Sequence, residues 1–279
     1  MGQRKLTQSN TRTAGCTSLA LALVACLLSS TAAAESGQEV SKWREGTRYS
    51  LGLGLLMGEL DFRSNPVVVI ADIGQLPSFA AGVQAWISEN AGFDASYQLG
   101  TFGTLEVPLD VLIGREDPNL KLTHHRFSGA FNYRLFTGPR LTSWGVGLRL
   151  GFILHSLVPS PHTPTIVLST QYFGPELGVT LRAPLSPDIG VDLEAAGLFP
   201  FSVREFPDRS GSPKTPIGAH IGAAPYVRLN PKLNMKLRYD MRHFNIGFDD
   251  EGNRGLGGVT GGATNDTFHS LMLELEFIP

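Results

Sequence analysis

Cysteine is almost missing from this 279-residue chain, and the two present, Cys16 and Cys26, both precede Ala34. A product that begins after Ala34 has no thiol, which excludes disulfides, thiolate metal ligands and cysteine nucleophiles. Long apolar runs are missing too: none reaches the ~20 residues that a membrane-crossing helix needs. Charge of one sign is scarce, with a net of −2 and no extended basic run, so nucleic acid is not expected as a partner. Apolar residues do not recur at helical spacing. What is abundant is glycine (32) and proline (18), the composition of an all-β chain rich in turns, and one domain suits the length.

The first 34 residues have three parts. Arg4, Lys5 and Arg12 form a basic start, Leu19 to Leu28 an apolar core, and Ala32-Ala33-Ala34 a small-residue exit before Glu35. That layout is a secretory signal peptide over residues 1–34. Leu23-Val24-Ala25-Cys26 also resembles a bacterial lipoprotein lipobox, which would lipidate Cys26, although Leu27 and Leu28 continue the apolar core beyond it. Either route exports the protein. A short periplasmic segment, residues 35–46, is expected to precede one domain over residues 47–279.

That domain alternates apolar and polar residues in period two over ten stretches, near residues 48–58, 79–87, 93–102, 126–136, 144–155, 173–185, 189–199, 217–229, 233–242 and 270–277. Successive side chains of a strand point to opposite faces, so each stretch has one wholly apolar face and one that carries every charge. Each suits a tilted bilayer crossing of roughly 9–11 residues. Two further segments alternate as well, Val67–Ile73 and Val107–Ile113. Counting both predicts a closed antiparallel transmembrane β-barrel of twelve strands; counting neither gives ten.

Alternation alone does not say which face is inside, and a soluble exported barrel binding a small ligand would put the apolar face in its core. Three features favour the membrane. Glycines such as Gly52, Gly54, Gly82, Gly147, Gly178, Gly190 and Gly222 crowd the polar face, where a narrow lumen needs room for long side chains from across the barrel. Short turns (137–140, 186–188, 230–232) alternate with longer polar links (158–165, 203–216, 249–265). Tyr133, Trp144 and Phe277 cluster toward the short-turn end, and Phe127, Phe152, Phe173 and Phe199 toward the other, as two aromatic girdles.

The polar faces then line a lumen with Arg126, Arg134, Arg149, Arg182, Arg228, Lys236, Arg238 and Arg242, answered by Asp94, Glu176, Asp192, Glu194, Asp240, Glu274 and Glu276. Charges at low dielectric require partners, so this lining is either a salt-bridged interior that holds the barrel shut or a narrow pore with both signs on its wall.

The last strand resembles the C-terminal assembly signal of outer-membrane proteins at Ser270, Leu275 and Phe277. Met272 stands where glycine is usual, and Ile278-Pro279 run past the usual terminal aromatic. The resemblance is to the bacterial outer-membrane β-barrel superfamily rather than to one family, and it implies lipid and the barrel-assembly machinery as partners in a Gram-negative outer membrane.

Two enzyme classes of that superfamily find partial matches in the chain. His243-Phe244-Asn245 resembles the His-x-Ser pair of outer-membrane lipid hydrolases (phospholipases and lipid A deacylases), but asparagine replaces the nucleophile. Asp249 and Asp250 with His124 or His125 resemble the acid and histidine pairs of omptin-type proteases. Asp249-Asp250-Glu251-Gly252-Asn253 is similar to an oxygen-rich calcium loop without its regular spacing. Neither a cofactor nor a metal is expected. The reading is a non-enzymatic barrel, either a narrow passive channel or a structural or interaction barrel with displayed outer loops, with a lipid hydrolase as the alternative.

Overall fold

The computed structural model describes residues 40, 44–65, 68–106, 119–160, 167–253 and 258–279. The signal peptide, the lipobox at Cys26 and the segment Val107–Ile113 lie outside them. The described residues form twelve strands: β1 Gly46–Asn65, β2 Val68–Trp86, β3 Ala91–Glu106, β4 Asn119–Phe136, β5 Gly145–Ser160, β6 Ser169–Pro184, β7 Ile189–Leu198, β8 Ser202–Phe206, β9 Ser212–Asn230, β10 Leu233–Asp249, β11 Glu251–Gly252 and β12 Val259–Phe277. Ten of them form an antiparallel sheet in the order β1 to β7, β9, β10, β12, and β12 pairs back onto β1 to close a barrel. The two short strands stand outside that ring, β8 against β6 and β11 against β12.

The barrel therefore has ten strands and not twelve. Val68–Ile73 is the outer part of β2, continuous with the Phe79 stretch. Leu56 of β1 pairs with Leu76 while Gly58 pairs with Ile73, so Gly74 and Gln75 form a bulge that adds one residue to β2. The extra residue moves the inward parity from even numbers (Leu76, Ser78) to odd ones (Val69, Ala71, Ile73), all buried. That break in phase, with Gly74 and Pro77 beside it, imitates a turn between two strands. A second bulge at residues 101–102 shifts β3 against β4 at the same level and turns Leu105 inward.

The short turns and both ends of the barrel chain lie at one end, here called the turn end; the longer links lie at the outer end. Nearest the turn end the apolar faces point outward. Leu51 is 70 % exposed, and Leu53, Val146, Leu148, Leu150, Leu177 and Leu273 are at least half exposed, while Arg48, Arg126, Asp240 and Glu276 are buried inside. A soluble barrel with these apolar faces as its core is the opposite arrangement, and the outward apolar faces are those that a lipid-facing orientation requires. The inward glycines relieve neighbours on the adjoining strand and not on the far wall. A Cβ at Gly190 would meet the hydroxyl of its cross-strand partner Tyr226 at 2.5 Å, and one at Gly52 would meet the Cγ of its partner Glu274 at 3.0 Å.

Candidate functional site: a lumen in two halves

The strands outrun a bilayer crossing, and their alternation inverts as they do. Along β1 the outward residues run Tyr49, Leu51, Leu53, Leu55, Met57 and then Glu59, Asp61, Arg63. The inward ones run Arg48, Ser50, Gly52, Gly54 and then Leu56, Leu60, Phe62. In β10, Lys236, Arg238, Asp240 and Arg242 are followed on the same inner face by Phe244, Ile246 and Phe248. The lumen is charged toward the turn end and apolar toward the outer end.

In the charged half, Arg149 is the hub. Its guanidinium lies 2.6 Å from Asp94, 3.2 Å from Glu194 and 3.5 Å from Glu176. Asn132 also donates to Asp94. His220 sits between Glu176 at 3.4 Å and Asp240 at 2.9 Å, with Arg242 Nη2 3.1 Å from its Nε2. Nearer the turn end Lys236 bridges Glu276 at 3.0 Å and Asp192 at 3.4 Å, Arg182 pairs with Asp192 at 3.7 Å, and Arg48 reaches Glu276 at 3.7 Å. Arg238 holds Glu274 at 3.1 Å, and Arg228 faces Asp188 of a turn at 4.0 Å. Arg134 lies over the Trp86 ring and donates to Glu89 O and Arg44 O. Arg44 in turn ties down two turns, bonding Gly138 O, Arg140 O and Glu89. Arg126 and Arg242 face a polar cavity of about 210 Å³, also lined by Ser96, Arg182, Lys236 and Glu276.

Removing one member of such a pair leaves a buried charge, a loss of about 3–5 kcal/mol, whereas the intact network gives shape more than net stability. Glu176, Glu194 and His220 bring three ligand atoms within 4.8 Å of one another, the spacing of a metal site. Arg149 already lies between the two carboxylates and supplies the positive charge that an ion would bring.

The outer half is a plug. Leu56, Phe62, Leu76, Leu105, Leu122, Ile153, Leu157, Tyr172, Leu198, Phe244, Ile246 and Phe268 form one buried cluster drawn from every barrel strand except β9. Tyr172 stacks on Phe244 with ring centroids 4.4 Å apart, and its hydroxyl bonds Asp266. At the inner edge of the plug, His155 stands 4.3 Å from Phe268 and 4.6 Å from His124, centroid to centroid.

Sequence reading did not find the plug, nor Arg48, Arg44 and His220 as members of the network. The inversion of alternation at Leu56 and at Phe244 was the available signal. Ser270 faces inward and accepts a hydrogen bond from Gln98, while Leu275 and Phe277 face outward. His243 bonds Thr267 Oγ1 at 2.9 Å, and Asn245 donates to Asn265. The residues matched to a protease are not brought together: His124 is inside the barrel, His125 meets the Tyr97 hydroxyl, and Asp249 pairs with Lys214 at the rim. The loop compared with a calcium site uses its oxygens on Ser212, Lys214 and the Arg209 amide.

Neither the family models nor the curated proteins give a match to the sequence. Solved structures do match the fold. The outer-membrane protease OmpT from Escherichia coli superposes with a TM-score of 0.54 over 84 % of this chain and 97 % of that one, at 9 % identity. The outer-membrane protein OprG from Pseudomonas aeruginosa matches at 0.39 over 85 % and 98 %, at 7 % identity. The translocator domain of the autotransporter NalP from Neisseria meningitidis matches at 0.39 over 95 % of each chain, at 12 % identity. This chain has the fold of the outer-membrane β-barrels.

Proposed function

We propose that the chain is exported through residues 1–34, is inserted by the barrel-assembly machinery into a Gram-negative outer membrane, and acts there as a non-enzymatic barrel with a sealed interior. Its work is then done by the surface displayed at the outer end, not by passage through the lumen. The carrying observation is the plug: Leu76, Leu105, Ile153, Tyr172, Leu198, Phe244 and Ile246 have no exposed surface at all. A continuous water path for ions would have to pass between those side chains, and water is excluded from a packed apolar layer. The outward apolar belt supports lipid as the surrounding medium.

The test is single-channel recording on the refolded barrel in planar bilayers, with cell fractionation beside it. The expected result is a heat-modifiable barrel that fractionates with the outer membrane and passes no steady current. Steady conductance would replace this reading with the narrow channel, and a soluble periplasmic pool would end the membrane reading altogether.

A further inference from the structure

Among the described residues three arginines of the lumen form no ion pair with a carboxylate; Arg134 is held instead by the Trp86 ring and two backbone carbonyls, which leaves Arg126 and Arg242. Among the described residues neither Arg126 nor Arg242 forms an ion pair, although Arg126 is 8 % exposed and Arg242 6 %. The Nε of each lacks any hydrogen-bond partner, and both side chains line the same cavity. Of the acids on neighbouring strands, Glu176 is engaged by Arg149 and His220, while Asp240 gives one oxygen to His220 and keeps Oδ2 open. On the plug side stand His155, across the β4–β5 ladder from Arg126, and His124, two residues before Arg126 on β4, and all four of their ring nitrogens lack partners as well. Each imidazole carries at least one N–H, so this level of the lumen holds an excess of unfilled donors. Asp240 Oδ2 and Gln98 Oε1 are the acceptors left open beside them.

An unpaired buried charge is among the least tolerated features of a folded protein, and two of one sign facing one cavity repel each other. A guanidinium presents a planar fork that matches the edge of an oxyanion, and two forks converging on a shared space can hold one tetrahedral anion between them. We infer that Arg126 and Arg242 form a binding site for a small oxyanion of the phosphate or sulfate class, just beneath the plug. A cavity of about 210 Å³ has room for such an ion with water around it, and its lining continues through Arg182, Arg134 and Glu276 to the turn end. Entry is therefore from that end, below the seal. Arg149 is not part of the site, because three carboxylates already surround it.

The test is equilibrium dialysis of radiolabelled inorganic phosphate against the full barrel folded in detergent, with sulfate and chloride as competitors. Expected are saturable one-site binding, competition by sulfate but not chloride at equal ionic strength, and about a tenfold or greater loss of affinity in the Arg126→Gln/Arg242→Gln variant. Heat-modifiable migration checks that the variant is folded. Should it fail to fold, Arg126→Lys keeps the charge but loses the fork, and weaker phosphate binding is expected from it. Absence of saturable binding by the unaltered barrel overturns the site, as does binding that the folded double variant retains. These outcomes do not depend on bilayer conductance, so the site and the sealed-barrel reading can fail separately.

Discussion

The two halves of the lumen are built from the same strands and closed by the same seam, yet their interiors are chemical opposites. What separates them is the medium outside. Where the outer face meets lipid, apolar side chains are used outward, and the charged ones that remain must satisfy one another inside. Where the strands rise past the lipid, water takes the polar residues outward and the hydrophobic effect packs Leu56, Phe62, Phe244 and Phe268 inward, as in any soluble core. The interior chemistry of a barrel is thus the complement of its surroundings, and it can change sign along one strand.

Four tests probe that contrast, each read as the urea midpoint of the barrel refolded in detergent. The largest effect is expected from Phe244→Ala in the plug, a loss of about 3–5 kcal/mol for a fully buried aromatic; a change below ~1 kcal/mol would mean that the outer half is loosely packed. Next is Glu276→Gln, which removes the carboxylate that Lys236 and Arg48 share, leaving Lys236 with Asp192, and should cost about 3 kcal/mol, with part of it recovered when Lys236→Met is added. A silent Glu276→Gln would show that water already solvates the charged half. Third, Leu53→Arg places a charge at the centre of the lipid belt and should lower stability by about 2–4 kcal/mol, whereas Ile70→Arg, past the β2 bulge, should lower it by less than ~1 kcal/mol. Equal effects would move the membrane boundary away from the bulges. The smallest change is expected for Lys214→Ala at the rim, whose pair with Asp249 is more than half exposed and should fall within the ~1 kcal/mol of surface ion pairs.

Much of the fold is legible in the sequence, and the gaps have physical reasons. The ten crossing stretches stand out because lipid tolerates no charge on the outer face, which makes runs such as Leu271, Leu273, Leu275 and Phe277 unmistakable. Val69, Ala71 and Ile73 show the same alternation with the opposite meaning, because the bulge at Gly74 and Gln75 turns that face inward. Period two reports that a segment is a strand with two unlike faces; it does not report which medium each face meets. The lining charges could be named from parity alone, but their partners could not. His220, Glu176 and Asp240 come from β9, β6 and β10, and only the closed ring sets their distances. The unpaired state of Arg126 and Arg242 was invisible for the same reason, since total charge in the lumen is close to balance.

The plug also bears on the seam where the two ends of the sheet meet. Leu56 and Phe62 arrive on β1, Phe268 and Val259 on β12, and they join a cluster that no single hairpin can assemble. Parting β1 from β12 would therefore break a ladder of backbone hydrogen bonds and wet the hydrophobic interior in one event. The plug therefore couples the seam to the buried core, so that an open seam carries the free-energy cost of both.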